Sequence, residues 1–67
     1  MEFELTQEYI ELIKLLKITG IAESGGMAKA MVEAEEVLCN GKIETRKRYK
    51  VRKGDLISTH SDKIEVK

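Results

Sequence analysis

Three groups of side chains in this 67-residue chain are candidates for chemistry: a lone thiol with a lone imidazole, a pair of adjacent carboxylates, and a dense run of cations. A thiol beside an imidazole is the arrangement of an activated nucleophile, and Cys39 and His60 are the single cysteine and the single histidine. Such a dyad needs a third group to orient the base, and none stands out. Cys39 also lies in the apolar segment Val37-Leu38-Cys39, which favours a buried structural thiol over a reactive one. One cysteine and one histidine supply neither an internal disulfide nor a tetrahedral metal set. Glu35-Glu36 reads as a charged helix end rather than an acid–base couple. Enzymatic activity is not expected, and no cofactor is implied.

The cations are a different matter. Arg46-Lys47-Arg48-Tyr49-Lys50-Val51-Arg52-Lys53 places six positive charges in eight residues. The whole-chain balance hides them, because twelve basic and twelve acidic residues sum to zero. Met1–Glu36 holds three lysines against eight glutamates, a net −5, whereas Val37–Gly54 holds seven cations against Glu44 alone, a net +6. Charge segregated in this way points to a polyanionic partner. The competing reading is a solvated hairpin whose charges keep it soluble and protect a sheet edge, but acids ordinarily dilute such a surface. If the run is an extended strand, Arg46, Arg48, Lys50 and Arg52 point one way and Lys47, Tyr49, Val51 and Lys53 the other. Cations two residues apart along a strand stand roughly 6.5–7 Å from each other, close to the spacing of successive phosphates in a nucleic-acid backbone. Tyr49 and Val51 then become the inward anchors of an outward basic row.

The elements that must hold this run are readable on either side of it. Asn40-Gly41 between Val37-Leu38-Cys39 and Lys42-Ile43-Glu44 is a hairpin signal, because both central residues of a type I′ turn need φ > 0. A two-residue turn sets Cys39 opposite Lys42 and Leu38 opposite Ile43, and the latter two are expected to form a core pair. Upstream, Tyr9, Leu12, Ile13 and Leu16 fall at helical spacing, with Lys14 and Lys17 on the other side and Gly20 as a stop. This helix ends near Lys17–Ile18. Its start is open, since Phe3 and Leu5 alternate with Glu2 and Glu4 as in a strand, while Thr6 is a possible cap. Ser24 is a good N-cap for a second helix over Met27–Ala34, in which Met27, Ala30, Met31 and Ala34 are expected to pack on the first. The open backbone at Ser24-Gly25-Gly26 is suited to a phosphate, although two glycines match neither a Walker motif nor a dinucleotide fingerprint. Downstream, Lys53-Gly54-Asp55 turns the chain into the strand Leu56–His60, and Ser61-Asp62-Lys63 turns it again into Ile64-Glu65-Val66. The order (β)–α–α–β–β–β–β predicts an α+β fold, with two short helices in a helix-turn-helix packed on a small antiparallel β-sheet.

Three segments in this order, Ser24-Gly25-Gly26-Met27-Ala28-Lys29, Glu36-Val37-Leu38-Cys39-Asn40-Gly41-Lys42 and Val51-Arg52-Lys53-Gly54-Asp55-Leu56-Ile57, resemble the S-four RNA-binding domain. That domain, also called the αL motif, is named after the fourth protein of the small ribosomal subunit. It occurs in ribosomal proteins, pseudouridine synthases, a heat-shock ribosome-rescue protein and tyrosyl-tRNA synthetases. The resemblance runs from about Tyr9 to the C-terminus, and the short length is similar to the free-standing bacterial S-four-like proteins. In those, the first strand extends to about residue 10 and the helix starts near Glu11. The resemblance implies RNA contacts at the start of the second helix and at the first hairpin. Those positions are Ser24, Gly25, Gly26, Lys29, Asn40, Gly41 and Lys42, followed by Arg46, Lys47, Arg48, Lys50 and Arg52 of the basic run. Two positions depart from many relatives. Gly26-Met27 stands where an arginine is common, and Glu35-Glu36 stands where a glycine precedes the hairpin strand.

The expectation is one RNA-binding domain over residues 1–67, non-catalytic and monomeric, that docks a basic hairpin face on structured RNA. Ribosomal RNA, or a ribosome-assembly particle with its proteins, is the expected partner. Only Phe3, Tyr9 and Tyr49 are aromatic, too few for a sequence-reading single-strand platform. The alternative is a protein–protein interaction module without nucleic-acid contact, which calls for an exposed apolar patch. No apolar run approaches the roughly 20 residues of a membrane span and no signal segment opens the chain, so a cytoplasmic, membrane-free protein is expected.

Overall fold

The computed structural model describes all residues, Met1–Lys67. In chain order the elements are β1 (Glu2–Phe3), β2 (Ile10–Glu11), α1 (Leu12–Ile18), α2 (Gly25–Glu33), β3 (Leu38–Cys39), β4 (Lys42–Ile43), β5 (Lys50–Val51), β6 (Leu56–Ser58) and β7 (Lys63–Val66). α1 begins near Glu11, as expected of the free-standing relatives, but the first strand does not extend to residue 10: β1 ends at Phe3, and Ile10–Glu11 form the separate strand β2 in a different sheet. Its apolar stripe, Leu12, Leu15 and Leu16, is fully buried, while Lys14 and Lys17 lie exposed. Thr19 closes the helix by donating its hydroxyl to the Leu15 carbonyl at 2.8 Å, and Gly20 takes φ +81 to leave it.

α2 starts at its expected cap, with Ser24 Oγ accepting the Met27 N–H at 3.1 Å. The face it buries is not the expected one. Ala28 and Val32, one turn apart, are buried and Met31 is partly buried, whereas Met27, Ala30 and Ala34 are exposed. A short helix rich in alanine and methionine offers two adjacent apolar stripes, and docking against α1 selects the one whose small Ala28 allows close approach. The helix ends with Glu35 in the left-handed region at φ 61. Glu35 N–H and Glu36 N–H return to the carbonyls of Val32 and Met31, both at 3.1 Å, a Schellman closure with glutamate in the usual glycine position.

Five strands form one sheet in the order β1-β7-β6-β3-β4. The two-helix α+β architecture is as expected, and the sheet differs at one edge: β1 runs parallel to β7, so the sheet is mixed rather than antiparallel. The Asn40-Gly41 turn has φ 53 and φ 85, and the hairpin register is the expected one, with Leu38 opposite Ile43 and Cys39 opposite Lys42. Its inward face is the other one. Cys39 is buried, Leu38 is half-buried and Ile43 is 54% exposed. The reason lies across the sheet: Cys39 neighbours Ile57, which pairs with Ile64, whereas Leu38 neighbours Ser58, which pairs with Lys63. β2 and β5 make a separate antiparallel ribbon with Ile10 opposite Val51. The core between helices and sheets holds 14 buried side chains and no buried polar or charged one. No helix is long and apolar enough to cross a membrane.

Candidate nucleic-acid interface

The basic run is held at two places. Val51 is fully buried opposite Ile10, and the half-buried Tyr49 lends its carbonyl to the Leu12 N–H at 2.9 Å. Between Arg46 and Tyr49 the chain is a turn, closed by Tyr49 N–H on the Arg46 carbonyl at 3.2 Å. The strand alternation expected across the whole run therefore holds only from Tyr49 to Val51. A six-cation strand has too few apolar side chains to be buried along its length, so the chain is pinned where Tyr49 and Val51 allow and turns where they do not.

Asp55 fixes this region from below. Its carboxylate accepts from Tyr49 Oη at 3.3 Å, from the Arg52 N–H at 2.9 Å and from Asn40 Nδ2 at 3.1 Å. Asn40 Oδ1 accepts from the Leu56 N–H at 2.8 Å, so the hairpin tip and the basic turn share one polar knot. Hydrogen bonding with Cys39, burial and the nearby Asp55 carboxylate together push the Tyr49 phenol well above its ordinary range. Burial raises the Cys39 thiol likewise, which keeps it in the unreactive form. Cys39 faces Tyr49 and Asn40, and His60 lies exposed in the turn before β7, so the two do not form a dyad. No group of three or more histidine, cysteine or acidic side chains is placed to hold a metal ion.

Two concave surfaces gather the cations. The first, about 380 Å³, is lined by Arg46, Arg48, Tyr49, Lys50 and Arg52. These are the four cations assigned to one row from the strand pattern, brought together here by a turn. The second, about 550 Å³, lies between the helices and the basic turn and is lined by Lys14, Lys17, Lys29, Lys47 and Arg48, with Gly25, Ile13 and Glu11. Arg48 lines both. Lys29 and Gly25 enter the site as expected. A side chain added at Gly25 would meet nothing within 4 Å, which leaves the amide end of α2 open to an approaching anion.

Lys14 and Lys17 were absent from the sequence-derived site. Their signal was present, since two lysines at i, i+3 opposite a leucine stripe must share a solvent face. Conversely, Ser24 is committed to capping, Gly26 lines neither groove, Asn40 is committed to the Asp55 knot, and Lys42, exposed on β4, lines neither groove.

Three cations of the turn each face a glutamate from a different part of the chain. Arg46 makes a two-pronged contact with Glu44 at 2.9 and 3.1 Å, Lys47 lies 3.5 Å from Glu33 of α2, and Arg48 lies 3.2 Å from Glu11 of β2. Arg46 also stacks over the Tyr49 ring at 5.0 Å. Hydrogen bonds from Arg46 hold the Glu44 carboxyl below its ordinary range. Lys14, Lys17, Lys29, Lys50 and Arg52 have no carboxylate within salt-bridge distance. The surface thus offers unpaired cations on the α1 and β5 sides and a turn whose cations are already positioned.

The profile of a family described as the S4 domain matches residues 3–67. The chain is 38% identical over 58 residues to the "Putative RNA-binding protein YbcJ" of Escherichia coli (strain K12), spanning 87% of this chain and 83% of that protein. It is also 38% identical over 50 residues to the "Probable ribosome maturation protein RlbA" of Bacillus subtilis (strain 168), spanning 75% of this chain and 70% of the other. The solution structure of E. coli YbcJ, described as revealing an ALFAL motif involved in RNA binding, superposes with a TM-score of 0.73 at 36% identity. That superposition covers 97% of this chain and 84% of YbcJ.

Proposed function

Because this chain belongs to the S4 domain family, we propose that it is a non-catalytic RNA-binding protein that docks its two basic grooves on the backbone of structured RNA. The partner in this reading is ribosomal RNA or a maturing ribosomal particle in the cytoplasm, met by residues 1–67 acting as one monomeric unit. The observation that carries it is the gathering of Lys14, Lys17, Lys29, Lys47, Arg48, Arg46, Lys50 and Arg52 in two grooves that share Arg48 as a lining residue. Cations from a helix, a helix start and a turn on one surface suit a shaped array of phosphates better than a single extended strand. A-form RNA is recognised largely through such shape and backbone contacts. The names of the YbcJ and RlbA relatives support RNA and the ribosome respectively. Gly25, Gly26 and Ser24 contribute the amide end of α2, with Asn40, Gly41 and Lys42 supporting or flanking the site.

The test is binding of a structured ribosomal RNA fragment across a salt series. Two variants are compared with the parent, one with Lys14, Lys17 and Lys29 replaced by alanine and one with Arg46, Arg48, Lys50 and Arg52 replaced. Both should weaken binding of many sequences about equally and flatten the log–log salt slope by roughly 0.7–0.9 for each phosphate no longer neutralised. Salt-insensitive binding, or affinity unchanged in both variants, would point instead to a protein partner and overturn the reading.

A further inference from the structure

We infer that Tyr9 forms a stacking site for one unpaired nucleobase at the margin of the basic grooves, an inference that rests on the RNA-docking reading and adds a base contact to it. Tyr9 is 37% exposed, whereas Tyr49 is half-buried with its hydroxyl tied to Asp55. The Tyr9 ring stands on a fixed base, since the next residue, Ile10, is buried and paired with Val51. Lys50 Nζ lies over the ring at 4.9 Å from its centroid and Arg52 Cζ at 6.0 Å. Both cations are exposed and have no carboxylate partner, so a base can displace them from the ring and leave their charge beside it for the adjacent phosphate, the pairing of π surface and positive charge that a single-stranded nucleotide requires.

A hollow of about 400 Å³, lined by Gln7, Glu8, Tyr9, Ile10, Glu11 and Lys14, opens beside the ring. That size lies within the roughly 300–1,000 Å³ of small-ligand sites. Its lining carries both acceptors (Glu8 and the Gln7 carbonyl) and donors (the Gln7 amide N–H and Lys14), so the edge of any base can find a partner there, while Glu11 is engaged by Arg48. Lys14 lines both this hollow and the larger cation groove, so a backbone running along the grooves can deliver an unpaired base here without leaving the surface.

The experiment uses the full chain with a ribosomal RNA stem carrying a single bulged 2-aminopurine, and the same stem fully paired. Stacking on Tyr9 should quench the 2-aminopurine fluorescence with the parent and with Tyr9→Phe. Tyr9→Ala should abolish the quench and weaken the bulged RNA by roughly tenfold or more while leaving the paired stem unchanged. Equal losses on both stems would mean that Tyr9 only positions Lys50 and Arg52, and no loss on either would mean that no base stacks there. Each of those results overturns the stacking site while leaving backbone docking intact. Failure of the parent to bind either stem overturns both.

Discussion

Two left-handed residues show how single positions control this surface. Glu35 holds φ 61 at the end of α2, a conformation that costs a residue with a Cβ roughly 1 kcal/mol or more and glycine almost nothing. Its side chain is exposed and the closing hydrogen bonds come from backbone, so glycine keeps every one of them. Glu35→Gly should stabilise the fold by about 0.5–1 kcal/mol in urea unfolding, and a drop in stability would show that the Glu35 side chain contributes something the geometry does not reveal. Asn40, at φ 53, differs because its amide ties Leu56 and Asp55 together. Asn40→Ala incurs both backbone strain and the missing hydrogen bonds, roughly 2 kcal/mol, whereas Asn40→Gly incurs the missing bonds alone, about 1 kcal/mol. Both variants, once folded, should bind RNA as the parent does, because this side chain serves the turn. An Asn40→Gly protein that is fully folded yet fails to bind would place Asn40 at the RNA.

At the scale of elements, the basic turn is a graft held by very short pieces. β4 and β5 contribute two residues each, and Arg46–Tyr49 between them is locked by Glu44 as much as by backbone. The Arg46 donors hold the Glu44 carboxyl below 4.5, so the folded state binds that proton less readily than the unfolded chain. The Glu44–Arg46 contribution is therefore fully present above the unfolded value of 4.5 and fades as pH falls through the lower folded value. Urea midpoints recorded from pH 6 down to pH 3 should fall less steeply for Glu44→Gln than for the parent. Parallel curves would mean that the pair, exposed on its arginine side, is too well screened to matter.

Across the whole molecule, zero net charge coexists with two cation-lined grooves, and three acids form ion pairs with the cations of the turn. Glu11, Glu33 and Glu44 reach the turn from three directions and sit where phosphates would. They orient Arg46, Lys47 and Arg48, and they also compete with any RNA for them. Replacing all three by glutamine should tighten binding to structured RNA and to unrelated polyanions such as heparin, with the larger gain on the unrelated ones, because the geometric filter is removed together with the repulsion. Equal gains on both would argue that the glutamates act only through net charge.

What the residues determined by themselves was local. The leucine spacing of α1, the Ser24 cap, the Asn40-Gly41 turn with its register, and the charge segregation all depend on neighbours within a few positions, and each was legible. The resemblance carried by three short segments fixed the helix–helix–hairpin order. What only the tertiary structure decided depends on what lies opposite. Leu38 and Cys39 are both apolar, and only their partners on β6, Ser58 and Ile57, decide that Cys39 faces inward. Ala28 rather than Met27 is buried because docking chooses between two adjacent stripes. β1 pairs in parallel with β7 from the far end of the chain, a pairing no local pattern encodes. The site followed the same division. The cations of the run were evident, but Lys14, Lys17 and Tyr9 joined them only when β2 paired with β5 and brought the start of α1 beside the turn. Sequence periodicity shows which residues share a face of one element; which faces of different elements meet is settled by burying the 14-residue core, which is a property of the whole chain.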